Sequence, residues 1–168
     1  DSFETDEPIT WPTFAIDFSH LEQVNSEVNG WIWMYDTVVN YPLVQSRINN
    51  DAYPAKTYDG TRNSSGSIFM DYRNSGDFSD DNTVIYGHNM LNGSMFCDAT
   101  KFVEDRNFFM STENDIEITT FDGLYTFRVF SAYPTDKYDK YFRTYFASDA
   151  EYLAFLQERE AKSLYHRE

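Results

Sequence analysis

Apolar and polar positions along this chain change period several times, and each change marks an element. In "IDFSHLEQVNSEVNG", Phe18, Leu21, Val24 and Val28 recur at helical spacing, Asp17 or Ser19 can cap the start, and Gly30 is placed to end it. This pattern predicts a short amphipathic helix. "WIWMYDTVVNYPLVQ" then turns dense in Trp, Val, Ile and Tyr and predicts strands, with Pro42 where an edge strand or bulge tolerates a missing donor. Residues 49–66 concentrate Asn, Asp, Gly, Ser and Pro and predict a long loop ahead of a strand in "SIFMDY". "NTVIYGH" predicts a strand that stops at a histidine, and "IEITTFDGLYTFRVFSAYPT" a hairpin turned at Asp122-Gly123. Finally "SDAEYLAFLQEREAKSL" opens with Ser148 and Glu151 at capping-box spacing and sets Leu153, Leu156 and Leu164 on roughly one face of a helix.

The result is an α+β, mainly β architecture: a curved or closed antiparallel sheet with a short helix in front and a longer one late. Composition supports the weight given to strands, with 15 Phe, 13 Tyr and 3 Trp in 168 residues. The length suits a single domain, 1–168, with residues 1–16 as an N-terminal extension. Charge narrows the partners. Twenty-eight acidic against 13 basic residues, a formal charge of -15, repel phosphate backbones, so no nucleic-acid partner is expected.

The chemistry-bearing residues are few. His88 follows a β-rich run and Gly87 and sits in a polar loop with Gly93, which exposes an imidazole on a rigid support. Its spacing fits an acid or base and fits equally a loop histidine bonded to nearby backbone. His20 and His166 lie far off in sequence without a partner at ligand spacing, so neither a metal nor any other cofactor is expected. Cys97, the lone thiol, lies in the apolar and acidic run "MFCDATKF", where a neighbouring carboxylate such as Asp98 disfavours a thiolate; it reads as an inert cysteine. "YPTDKYDKYFRTYF" mixes tyrosines, phenylalanines and charges in a way that suits a groove wall for an extended peptide or a sugar, and suits ordinary packing as well.

Several blocks together resemble one family. "NTVIYGHNMLNGSMF" resembles the histidine segment of class B sortases, the cysteine transpeptidases that attach proteins to the cell wall of Gram-positive bacteria. "GWIWMYDTVVNYPLVQ" resembles the family's Gly-Trp-Ile strand and its Tyr-Pro-Val-Val-Gln run, with Leu43 in place of the first valine. "GSIFMDYRN" resembles the next strand, and "YFRTYF" with the capped helix and "KSLY" resembles the class B helical insertion between late strands.

The resemblance implies a closed antiparallel β-barrel. It also implies a reaction: a cysteine attacks the threonyl carbonyl of an Asn-Pro-X-Thr sorting signal, a histidine handles the leaving-group proton, an arginine stabilises the oxyanion, and a peptidoglycan amine resolves the thioacyl enzyme. His88 takes the histidine's place, with Tyr86, Met90, Tyr141, Phe142 and either Asn49 or Asn50 as peptide contacts. No Thr-Leu-Ser-Thr-Cys nucleophile strand occurs up to Glu168, so the resemblance implies that the nucleophile and arginine lie outside these residues and that the 168 residues alone are inactive. It places the protein on the extracellular face of the membrane, at the cell wall, held by an N-terminal anchor ahead of Asp1. The competing expectation is a non-catalytic β domain that binds glycan or peptide on its aromatic faces.

Overall fold

A computed structural model describes residues 16–167. Six strands form one sheet: β1 (Val28–Met34), β2 (Asn40–Val44), β3 (Ile68–Met70), β4 (Ile85–Tyr86), β5 (Ile116–Thr119) and β6 (Leu124–Phe127), in the order β4-β3-β2-β1-β5-β6. Four helices accompany them: α1 (Phe18–Val24), α2 (Lys101–Glu104), α3 (Arg106–Met110) and α4 (Asp149–Lys162). The expectation of a closed antiparallel barrel is corrected on two counts. β2 and β3 run parallel, and among the described residues β4 and β6 each have a neighbour on one side only, so the sheet is mixed and open. Parallel neighbours cannot be joined by a tight turn. The long polar loop read from residues 49–66 is therefore the body of a crossover.

β1 is the centre of the sheet and alternates buried with half-buried positions. A register shift against β2, where Val28 faces Val44 and Gly30 faces Leu43, inserts one extra residue into β1. That bulge explains how Val28 joins Leu21, Val44, Tyr53 and Phe69 in one apolar cluster while Ile32 and Met34 join Leu43, Ile68, Phe102, Phe109 and Ile118 in the other. It also corrects the reading of Val28 and Gly30 as the end of a helix. α1 stops at Val24, capped by the Asp17 carboxylate on the His20 amide, and Gly30 lies within β1. A Cβ there would sit 3.1 Å from the Thr119 carbonyl oxygen, so a larger residue would require β5 to give way by a few tenths of an ångström. Pro42 is tolerated because β3 pairs with β2 only from Leu43 onward.

The Asp122-Gly123 hairpin forms as read, with Thr119 opposite Leu124. α4 has the expected cap: the Ser148 hydroxyl accepts from the Glu151 amide, and Glu151 reaches back to the Ala147 amide at 2.7 Å. Its buried face differs from the leucine stripe. Leu153 and Leu164 are exposed, whereas Phe155 and Arg159 are buried, Phe155 against Phe146. Aromatic contacts and an ion pair therefore decide which side of α4 faces inward. The run of short helices from Cys97 to Met110, unanticipated in the sequence, plugs Phe102 and Phe109 into the sheet.

Candidate active site

Gly87 turns the chain out of β4 in a tight spot: a Cβ would lie 2.4 Å from Ile68 Cδ1 and 2.7 Å from Phe96 Cδ2, so a larger residue would have to push these side chains aside. His88 is thereby delivered to the surface on a support packed from behind. The loop after it closes on itself, with the Phe96 amide donating to the His88 carbonyl at 2.8 Å and Asn89 bridging Met95. Gly93 takes φ +82° at its tip. Met95 adopts φ 59°, donates its amide to the Tyr41 hydroxyl and is buried, and Met90 packs half-buried on the same apolar cluster. The rigid part of this loop is its base.

The imidazole Nε2 lies 2.8 Å from the Pro54 carbonyl oxygen, in the crossover. A carbonyl only accepts, so Nε2 carries the hydrogen and Nδ1 is the acceptor of the neutral ring. Among the described residues no hydrogen bond joins this ring to Cys97. That thiol is half-buried at the start of a 3-10 turn (Cys97–Thr100).

On the strand paired with β4 stands a buried carboxylate that sequence reading missed. Asp71 ends β3, is fully buried, and accepts from Tyr86 Oη (2.9 Å), Asn50 Nδ2 (2.9 Å), Arg73 Nε (2.8 Å) and Arg73 Nη2 (2.6 Å). Burial opposes its charge, but these hydrogen bonds, above all those of Arg73, outweigh it and hold the carboxyl well below the usual range. Burial first, then the Asp71 hydrogen bond, raises the Tyr86 phenol, which stays a donor at neutral pH. The one available signal was an acid directly after the all-buried "IFM" strand, followed two residues later by an arginine.

The remaining expected residues fall into two groups. Tyr141 and Phe142 stand edge to face with centroids 5.7 Å apart, and the Arg73 guanidinium lies 5.5 Å from the Phe142 centroid. Their backbone is tied to the entry of β4 by Asn82, whose Nδ2 donates to the Tyr141 and Arg143 carbonyls at 3.0 and 2.6 Å. Asn50 has both ends of its amide occupied, donating to Asp71 and accepting from the Tyr72 amide at 2.9 Å. Asn49 is exposed, and its side-chain oxygen only closes a local turn with the Asp51 amide. Tyr86, Asn50 and Arg73 thus converge on one carboxylate, with Phe142 packed on the arginine, while His88 is held by the crossover.

No family model matches the chain. Individual relatives do. The sortases B of Listeria monocytogenes and Staphylococcus aureus are each 36% identical to it over 147 residues, covering 86% and 88% of this chain and 58% and 59% of theirs. A solved Bacillus anthracis structure, described as similar to sortase B, is 43% identical with TM-score 0.82 and spans 90% of this chain and 69% of its own. The chain belongs to the class B sortases. Its similarity to the solved S. aureus sortase B–substrate complex is 34% identity at TM-score 0.83 over 90% of this chain and 68% of that one. This sortase chain spans a little under three-fifths of the length of its curated relatives. The shared fold is accordingly the mixed, curled sheet with its flanking helices.

Proposed function

We propose that this protein is a cell-wall sorting transpeptidase, and that the described residues supply its histidine and the aromatic lining of its peptide groove. The observation that carries the reading is the placement of an exposed imidazole just past the end of β4, on a tightly packed glycine, in a chain whose β4 also carries Tyr86 and whose Tyr141 backbone is tied to the entry of the same strand. An extended Asn-Pro-X-Thr peptide would lie along these aromatic faces, with Met90 flanking the histidine. Asn49 contacts the peptide rather than Asn50, whose amide is already used.

In this reading the nucleophilic cysteine and the arginine belong to strands in the remainder of the protein, which would pair with the open edges at β4 and β6. A thiol that passes its proton to the His88 ring adds as the thiolate to the threonyl carbonyl, the resulting imidazolium protonates the departing amine, and a peptidoglycan amine then displaces the thiolate and yields its proton to the same ring. Such chemistry belongs on the extracellular face of a Gram-positive membrane, with an anchor ahead of Asp1; the 168 residues by themselves would be inactive. The second reading, a glycan-binding β domain, draws on the strongly exposed Tyr138 and Tyr145 rings and predicts saturable calorimetric binding of cell-wall glycan without peptide cleavage.

The test pairs two substitutions in the full-length protein. His88→Ala is expected to lower kcat/KM for an Asn-Pro-X-Thr peptide by about a thousandfold, while Cys97→Ala stays within about twofold of wild type. Turnover retained in His88→Ala would remove the histidine from the mechanism, and loss of turnover in Cys97→Ala would make that thiol the nucleophile.

A further inference from the structure

The "MDYRN" stretch is unused by the mechanism above, yet its acid is the most completely buried polar group among the described residues. Three segments far apart in sequence meet there. Asn50 comes from the crossover, next to Asn49; Tyr86 comes from β4, two residues before His88; and Phe142 arrives through Arg73, whose guanidinium also lies 6.0 Å from the Tyr72 ring centroid. The backbone of Asp71 is pinned as well, its amide donating to the Val84 carbonyl at 2.8 Å and its carbonyl accepting from Gln45 Nε2 at 3.0 Å. A carboxylate so anchored cannot follow its partners, so they are held to it.

We propose that Asp71, acting through Arg73, Tyr86 and Asn50, is a positioning residue that sets the spacing between the two walls of the peptide groove. The inference rests on the sortase reading of that groove. The physical reason is that one ion carries bonds of different strength. The two-pronged Arg73 pair fixes the guanidinium plane under Phe142, and charge-assisted bonds from Tyr86 and Asn50 fix the opposite wall. Neutral donors alone could not orient the guanidinium. A mere stabilising ion pair, in turn, has no need of the phenol two residues before the histidine.

The test uses the full-length protein with an Asn-Pro-X-Thr peptide, and circular-dichroism melts to establish that each variant is folded at the assay temperature. Asp71→Asn keeps the side-chain shape and drops the charge. KM for the peptide is expected to rise about tenfold with kcat within about threefold, because the walls shift while His88 keeps its glycine support. An aspartate that only stabilises the fold lowers the amount of active enzyme, and so the apparent kcat, without moving KM; that result overturns the proposal. Arg73 has a side chain 40% exposed, so Arg73→Gln carries the same test if Asp71→Asn does not fold. Arg73→Lys is expected to recover part of the KM lost in Arg73→Gln, and an unchanged KM in Arg73→Gln also overturns the proposal. His88→Ala, assayed alongside, keeps the two readings apart: residual turnover there would remove the histidine's role, while the KM of Asp71→Asn still decides the role of Asp71.

Discussion

Two aspartates with buried side chains organise separate clusters in this molecule, and they do it differently. Asp71, at the end of the strand paired with β4, pairs with an arginine two residues away and draws in neutral donors from the crossover and β4. Asp139 sits in the aromatic segment after β6 and takes its cations from α4: Arg159, with which it forms a short ion pair, and Lys162 at 2.9 Å. Arg159 is itself buried and also reaches the Tyr133 hydroxyl at 3.2 Å. The cation on the Asp71 side is at the rim, whereas the cation on the α4 side is in the interior. A half-solvated cation can lose its partner cheaply; a buried one cannot. The first cluster is therefore suited to holding a groove in shape, and the second to bolting the aromatic segment onto α4.

The sharpest way to break this comparison is to remove each acid in turn. Asp139→Ala strands a buried guanidinium whose remaining anionic partner is the exposed Glu158, and should destabilise by about 3 kcal/mol in urea unfolding. Loss of less than about 1 kcal/mol would show that α4 is held by Phe155 and Phe146 alone.

Acid titration probes both clusters at once. Both carboxyls are held below their ordinary range, Asp71 against the opposing effect of burial by Arg73, Asn50 and Tyr86, and Asp139 likewise by Lys162, Arg159 and Thr135. Groups depressed on folding stabilise above their unfolded pKa and lose that contribution as pH falls toward the folded one. Stability should therefore decline as pH drops below about 4, and Asp71→Asn should flatten that decline. An unaltered acid limb in the Asn variant would mean that Asp71 does not carry its charge in the folded state. The smallest effect concerns the α4 cap, where Ser148→Ala is expected to lower stability by about 1 kcal/mol without altering peptide KM. A change in KM there would show that the cap reaches the groove.

Much of the scaffold was legible in the one-dimensional pattern because short-range physics writes it. The strand-forming run from Trp31, the Asp122-Gly123 turn and the Asp17 and Ser148 caps each depend on residues within a few positions of one another. The family resemblance likewise survived comparison with solved relatives, because it rested on ordered blocks along most of the chain. Where the reading failed, the deciding partner was distant. Leu153, Leu156 and Leu164 looked like the inward face of α4 until Asp139 claimed Arg159 from another segment. Asn49 and Asn50 look alike by spacing, and only the tertiary structure gives Asn50 the Asp71 carboxylate as a partner.

The sequence alone determined which stretches extend and which coil, where the turns and caps fall, that a histidine leaves a strand at a glycine, and to which family those blocks belong. Tertiary structure decided that β3 lies parallel to β2, that a bulge sends Val28 to the opposite face from Ile32, that among the described residues the sheet is open at β4 and β6, and that one carboxylate gathers Asn50, Arg73 and Tyr86. The division follows from range. Local periodicity encodes what a residue does to its neighbours in the chain, but the partner of a buried charge or of a sheet edge is chosen by whichever segment the crossover brings alongside it.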